Sequence, residues 1–234
     1  MPGFFYCNKE GDYQLNQIVL ANNLQRVSEQ VSKYSGHLLA VTKFVDKDVT
    51  RALFELGVRE MAENRPEPFL KKLEELSDIK DQITWHFIGH LQTRQVKKVI
   101  HNIDYLHSLD RVSLAKEIQK RAICPLKCFL QVNVSGEASK GGFQPDQVLD
   151  VINNLVNYDK IIIVGLMTMA PIDATDSELH HYFKELRLLQ EKIESLELKQ
   201  APCHELSMGM SRDYLIALEE GASYVRIGTA LYKE

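Results

Sequence analysis

A closed (β/α)8 barrel, an α/β architecture, is the fold this chain of 234 residues predicts, on three observations. Eight apolar runs recur from one end of the chain to the other. They are continuous patches, not strict alternations, as expected for parallel strands covered on both faces. The intervals between them hold amphipathic stretches long enough for helical crossovers, which parallel neighbours require. A doubly wound α/β sheet is the competing architecture, because counting strands does not prove closure. With 44% hydrophobic and 26% charged residues, the chain can bury a core without staples.

The elements follow in order. Residues 1–12, with Phe4-Phe5-Tyr6, read as an N-terminal extension without an assignable role, for which disorder is one reading. A helix from Tyr13 to about Lys33 precedes the first strand. Strand-like runs are then expected at Leu38–Lys43, Arg59–Asn64, Trp85–Gly89, Tyr105–Asp110, Cys128–Asn133, Ile161–Met167, His204–Met208 and Tyr224–Gly228. The clearest helix follows the sixth run. Thr175-Asp176-Ser177-Glu178 is a capping box, and Leu179, Tyr182, Phe183, Leu186, Leu189, Ile193 and Leu196 form one apolar stripe. A short helix after the seventh run has Ser211 as its expected N-cap and Gly221 just beyond its end. The sequence runs only six residues past Gly228, so no eighth crossover helix is expected. The Tyr13–Lys33 helix is expected to fill that position on the barrel wall. No linker rich in Pro, Gly or Ser interrupts the pattern, so residues 13–234 read as a single domain.

Bulk properties exclude several function classes. A net charge of -4 argues against a nucleic-acid surface. Lys71-Lys72 and Lys97-Lys98 read as solvated helix faces. No signal peptide is expected at Met1–Asp12, and no apolar run reaches the length of a membrane span; Ile161–Met167 is broken by Gly165. Cys7, Cys124, Cys128 and Cys203 lack paired CxxC spacing, and Cys124 and Cys128 read as buried free thiols. A reducing, cytoplasmic setting follows. His86 and His90 lie on a strand and its exit, where i, i+4 spacing gives no shared face, so no metal site is expected. Gly141-Gly142 closes a glycine-rich turn that begins near Ser135.

Barrels gather their sites at the C-terminal ends of the strands. Those ends supply Lys43, Asn64, Gly89-His90, Asp110-Arg111, Asn133, Met167-Thr168, Met208-Gly209 and Gly228-Thr229. Lys43 closes an apolar run, a position that suits an amine titrating low enough to attack a carbonyl carbon; a solvated strand cap is the alternative. Ser207-Met208-Gly209-Met210-Ser211 and Arg226-Ile227-Gly228-Thr229 offer hydroxyls and unobstructed backbone N–H groups, the chemistry a phosphate demands. Barrels often place phosphate after strands seven and eight, although Ser211 as a plain N-cap competes with that reading. A phosphorylated aldehyde bonded to Lys43 satisfies both halves of the pattern, and pyridoxal 5′-phosphate (PLP) is such a molecule. Arg226, between Val225 and Ile227, is expected to point into the barrel and therefore needs a partner. A cofactor ring nitrogen and a salt bridge to Glu205 or Glu63 are both open.

Several long motifs resemble those of the pyridoxal-phosphate homeostasis proteins, the YggS/PROSC-like family. They are Trp85-His86-Phe87-Ile88-Gly89-His90-Leu91-Gln92-Thr93, the run from Gln131 to Gly142, Gly165-Leu166-Met167-Thr168-Met169, Leu206-Ser207-Met208-Gly209-Met210-Ser211, and Val225-Arg226-Ile227-Gly228-Thr229-Ala230. The resemblance covers nearly the whole chain from about residue 13. It implies the barrel of alanine racemase, a TIM-type, fold-type III PLP barrel, with Lys43 as the aldimine lysine. By the same matching Asn64 lies beside the cofactor; Ser211, Gly228 and Thr229 hold phosphate; and Arg226 faces the ring nitrogen, with Met208 also expected among the cofactor-binding residues. Thr42 stands where serine is commoner, and Ala62-Glu63-Asn64-Arg65-Pro66 replaces a glycine-led form, so the loop after Asn64 is expected to differ.

The resemblance implies a carrier in vitamin B6 homeostasis, with PLP, amino acids and PLP-dependent apoenzymes as partners, no nucleic acid or membrane, and a monomer or weak dimer. A racemase-like enzyme is the alternative. Racemisation needs two acid/base groups, and alanine racemase takes the second from an additional domain for which this chain leaves no residues. No catalytic residue is therefore expected. A Schiff-base aldolase is a third reading, but it wants a base beside Lys43, and Asp110 is the only strand-end carboxylate that stands out.

Overall fold

In the computed structural model, residues 17–137 and 140–233 are described. Eight parallel strands alternate with helices: α1 (Gln17–Ser32), β1 (His37–Val41), α2 (Lys47–Glu55), β2 (Glu60–Glu63), α3 (Pro66–Glu75), β3 (Thr84–Phe87), α4 (Val96–Val99), β4 (Tyr105–Leu109) and α5 (Val112–Arg121). The second half continues with β5 (Leu126–Gln131), α6 (Val148–Asn154), β6 (Ile161–Met167), α7 (Asp176–Glu194), β7 (Glu205–Met210), α8 (Tyr214–Glu219), β8 (Tyr224–Ile227) and α9 (Thr229–Tyr232). All eight expected strands are present. The strands pair in chain order, and β8 returns to β1 with His37 opposite Tyr224 and Ala40 opposite Ile227. The barrel is closed, which disposes of the doubly wound alternative.

Because successive strand residues face opposite sides, the barrel carries two cores. The outer one lies between strands and helices and is filled by residues such as Met61, Leu106, Leu130, Phe183 and Val225. The inner one lines the bore with Leu39, Val41, Ala62, Tyr105, Phe129, Met167 and Tyr224.

The N-terminal helix closes the ring as expected. It buries Leu20, Leu24, Val27 and Val31, a stripe of helical period, and packs on β1, α8 and α9. Asn23 Nδ2 donates to the carbonyls of Leu231 at 3.3 Å and Lys233 at 2.9 Å. One turn of helix, α9, nevertheless follows β8, so α1 and α9 share the eighth position. Tyr13 and the extension at residues 1–12, with Cys7, lie outside the described residues.

The capping box on α7 forms: Thr175 Oγ1 accepts from Glu178 N, and a Glu178 carboxylate oxygen accepts from Thr175 N at 2.8 Å. Leu179, Phe183, Leu186 and Ile193 are buried, whereas Leu196 lies beyond the helix and is half exposed. Two expectations about local structure are corrected. The helix after β7 starts at Tyr214 with Asp213 in the cap position, so Ser211 is not its N-cap. Gly221, at φ +92°, does stand just past its end. Cys124 is exposed, because it sits in the turn before Leu126, the first buried residue of β5. Cys128 and Cys203 are buried thiols; burial raises both, Cys203 to about 12. Among the described residues no helix is long and apolar enough to cross a membrane.

The pairing of β5 with β6 shifts register between Cys128 and Phe129, and Gly165 emerges from the bulge directly against β7. A Cβ on Gly165 would stand 1.9 Å from the Glu205 carbonyl oxygen. Backbone on both sides leaves nothing soft to yield. Gly165→Ala is therefore expected to destabilise the fold by about 1–3 kcal/mol or more, read as a lower urea midpoint; an unchanged midpoint would contradict this close strand approach.

Candidate functional site

Lys43 follows β1, where the chain leaves the barrel. Its backbone is set by the Thr42 N–H, which donates to the Ala62 carbonyl at 2.9 Å. The amine is half-buried and lies 4.9 Å from the centre of the Phe44 ring. It makes no hydrogen bond or ion pair among the described residues. Burial lowers its pKa from the ordinary 10.5; the Arg226 and Arg65 charges push the same way, and Glu63 opposes them. A partly dehydrated amine between two guanidinium groups carries a larger neutral fraction, which is the nucleophilic form.

The segment behind Lys43 is held by a buried ion pair that sequence reasoning missed. Glu63, at 1% exposure, accepts from Lys72 Nζ and, at 2.7 Å, from Thr42 Oγ1; Lys72 also donates to the Thr42 carbonyl at 2.7 Å. Lys72 is thus a clamp on the Lys43 segment, not a solvated helix residue as expected. Lys71, Lys97 and Lys98 do face solvent. Lys72 falls on the inner face of α3, three residues after Phe69, and that spacing is the one sequence signal that marks it.

Asn64 follows β2, half-buried and without a side-chain partner among the described residues. Gly89 places it: a Cβ there would fall 2.0 Å from the Asn64 carbonyl oxygen, so only glycine lets the ends of β2 and β3 approach this closely. Pro66 takes the first position of α3, where its missing N–H costs nothing.

Across the barrel mouth, Ser211 Oγ accepts from the N–H groups of Gly228 and Ala230, each at 3.2 Å. The serine hydroxyl takes both N–H groups, with the exposed Thr229 between them, so this two-donor cradle is one that a phosphate would have to share with Ser211 or take over from it. Gly228 lies over Val41, so the cradle and the exit of β1 adjoin. Met208 is placed differently. Its side chain is fully buried in the outer core, on the far side of β7 from Ser207, so it does not meet the expectation of a side-chain contact to the cofactor.

Arg226 points into the bore, at 4% exposure, and neither Glu205 nor Glu63 is its partner. Its Nη1 donates to Ser207 O and Ser207 Oγ, both at 2.7 Å, and its Nη2 to the Thr168 carbonyl at 2.8 Å. Burial lowers its pKa to about 10, and Asp213 is the carboxylate that pulls the other way. The Nε–H is left without a partner among the described residues. Guanidinium is donor-only, so that position calls for an acceptor such as a pyridine nitrogen.

The remaining strand-end groups are engaged with one another. Asp110 accepts from His90 and Arg111 at 2.8 and 2.5 Å. Asn133 Nδ2 donates to the Glu137 carbonyl at 2.8 Å and so pins the glycine-rich turn. Among the described residues no group of three or more His, Cys, Asp or Glu side chains is arranged to hold a metal. The residues fit PLP: an unpaired, easily neutralised amine, a two-donor cradle and an unfilled guanidinium donor surround one mouth.

Known proteins resemble this chain in sequence and in fold. The sequence profile described as "Alanine racemase, N-terminal domain" matches residues 16–234. A pyridoxal phosphate homeostasis protein of Aquifex aeolicus is 39% identical over 223 residues, covering 90% of this chain and 96% of that one. The protein of that name from Schizosaccharomyces pombe is 32% identical over 200 residues, covering 83% and 82%. Among solved structures, PipY of Synechococcus elongatus with PLP bound superposes with a TM-score of 0.84 at 30% identity, covering 92% of this chain and all of that one. Alanine racemase of Corynebacterium glutamicum shares the fold at a TM-score of 0.75 and 14% identity, over 94% of this chain and 62% of its own. On profile, sequence and fold together, the chain belongs to the alanine racemase N-terminal domain family and, within it, to the pyridoxal phosphate homeostasis proteins.

Proposed function

We propose that this chain holds PLP as an aldimine of Lys43 and serves intracellular PLP homeostasis as a carrier, without strong catalytic turnover. The observation that carries the reading is the pairing of two unfilled groups in one mouth, the Lys43 amine and the Arg226 Nε–H, beside a cradle at Ser211, Gly228, Thr229 and Ala230. PLP supplies an aldehyde for the amine, a phosphate for the cradle and a ring nitrogen for the guanidinium. That the PipY relative was solved with PLP bound supports PLP as the ligand. In this reading Asn64 flanks the ring, and Met208 contributes only backbone.

The chain's own groups explain the restraint. Arg226, donor-only, keeps a facing ring nitrogen unprotonated, and an unprotonated pyridine is a weak electron sink. Moving a proton across a substrate carbon needs two free acid/base groups. Near Lys43, Glu63 is spent on Lys72 and Thr42, and Asp110 on His90 and Arg111. That accounting favours binding over racemisation, and it leaves an aldolase without its base. The three described cysteines are unpaired, which supports the reducing, cytoplasmic setting. PLP-dependent apoenzymes are the proposed recipients, amino acids the proposed displacing ligands, and a monomer or weak dimer the proposed state.

Purified protein incubated with PLP is expected to absorb visible light, and borohydride followed by peptide mapping is expected to place pyridoxyl on Lys43. Lys43→Ala should lose the covalent adduct yet retain weak PLP binding through the cradle. Label recovered on another lysine of the wild type, or no colour at all, would overturn the assignment.

The lowered pKa of Lys43 sets a pH dependence. Only the neutral amine attacks, so the rate of adduct formation should rise with pH and reach half its maximum below 10.5, the ordinary lysine value. Stopped-flow absorbance across pH 6–10 checks this; a rate still climbing as for a free lysine would contradict it. Lys72→Met would strand Glu63 as a buried lone carboxylate. It should cost about 3–5 kcal/mol of stability in urea denaturation, and in the fraction that folds the unpaired anion should slow adduct formation by raising Lys43.

A further inference from the structure

The bore of the barrel holds a continuous polar path that the binding site does not explain. From Arg226 on β8, Nη1 reaches Ser207 Oγ on β7 at 2.7 Å. Ser207 Oγ lies 2.8 Å from His107 Nδ1 on β4, and His107 Nε2 lies 2.8 Å from His86 Nδ1 on β3. His86 Nε2 ends the path 2.5 Å from Glu60 Oε2, at the start of β2 on the opposite face of the barrel. Ser207, His107 and His86 are essentially without solvent contact, whereas the Glu60 side chain is 30% exposed. The path therefore joins the cofactor mouth to solvent at the other end.

Donor and acceptor counting gives the path a direction. Arg226 can only donate, so Ser207 Oγ accepts from it. The one serine hydrogen is then free for His107 Nδ1, the other polar neighbour of Ser207 Oγ among the described residues. A neutral imidazole that accepts at Nδ1 carries its proton at Nε2. His107 thus donates to His86 Nδ1, and His86, by the same rule, donates from Nε2 to Glu60. Burial, with Arg226 and His86 nearby, holds His107 neutral, well below the ordinary histidine range. Ring stacking fixes the planes in which these nitrogens point. His107 lies 4.3 Å from Phe129, at 24°, and His86 lies 4.5 Å from Tyr105, at 4°.

We infer that Ser207, His107, His86 and Glu60 form a directional hydrogen-bond relay that positions Arg226 and tunes the charge it presents to the cofactor ring. The relay has a cation at one end, a carboxylate at the other and neutral groups between. Its dipoles align, so each bond polarises the next. The opposite direction requires Ser207 Oγ to accept from both neighbours, which strands its hydrogen, and requires one more proton, on the histidine pair or on Glu60. Ser207 and His107 are positioning residues that act through Arg226, the first by accepting from its Nη1 and the second by holding Ser207 Oγ. The tuning rests on the ring nitrogen facing Arg226, as proposed above; the relay itself does not.

Nitrogen-15 NMR of the histidine rings in the cofactor-free protein tests the relay without PLP. Both His86 and His107 should carry their proton at Nε2. Ser207→Ala should shift the His107 Nδ1 signal, and Glu60→Gln should shift that of His86 Nε2. In PLP-loaded protein, Glu60→Gln, though remote from the mouth, should move the visible absorption maximum. Ser207→Ala should weaken PLP about tenfold by removing a bond to a charged group. A proton on His107 Nδ1, or ring signals indifferent to both variants, would overturn the relay. An absorption band unmoved by Glu60→Gln while the ring signals shift would overturn its coupling to the cofactor. A wild type that binds no PLP would instead sink the assignment of the cofactor, with the ring signals still deciding the relay.

Discussion

The ladder between β1 and β8 is the contact on which the site depends. Lys43 and Arg226 lie near opposite ends of the sequence, and only barrel closure sets them side by side, with Leu39 opposite Arg226 and Ala40 opposite Ile227. Closure also sets Gly228 over Val41, so the two-donor cradle adjoins the strand that carries the lysine. The helix α1 covers the same seam from outside and ties itself to Leu231 and Lys233 through Asn23. The seam is therefore buttressed on its outer face and exploited at its upper edge.

Electrostatics at that edge are lopsided. Arg226 is buried with no carboxylate in hydrogen-bonding range, and Lys43 has no ion-pair partner among the described residues. A lone buried cation is costly to a folded protein, and its persistence here is what an anionic, acceptor-bearing ligand would offset. Glu63 alone would quench this imbalance. Its pairing with Lys72 absorbs that negative charge while tying Thr42, and hence the Lys43 backbone, to β2. One carboxylate thus serves as a mechanical anchor, and its charge only partly offsets the burial and the two guanidinium groups that lower the amine beside it.

The two faces of each strand have separate work. The outer core is almost wholly aliphatic and aromatic and holds the helices in place. The bore mixes Tyr105, Phe129 and Tyr224 with a line of hydrogen-bonded polar groups, and every one of those groups sits at an inward position of its strand. A polar interior costs stability unless each donor and acceptor is matched, and here the matching imposes a single direction.

Local pattern and strand-end placement were enough to locate the strands, the α7 capping box, the helix that completes the ring, and Lys43, Arg226 and Gly228. The phosphate pattern marked Ser211 and Thr229, and the family motifs agreed with it and added Asn64 as an expected cofactor contact. Tertiary structure alone decided partners. Lys72 read as surface lysine because charge is a poor guide to burial when the counter-ion lies nine positions away on another element. Ser211 read as an N-cap, yet its hydroxyl serves the turn after β8. Met208 and Ser207 are sequence neighbours, but strand alternation sends the first into the outer core and the second into the bore. Closure, too, was undecided in the sequence, since the pairing of the first strand with the last leaves no local mark; it is a property of the shape that the remaining strands together impose.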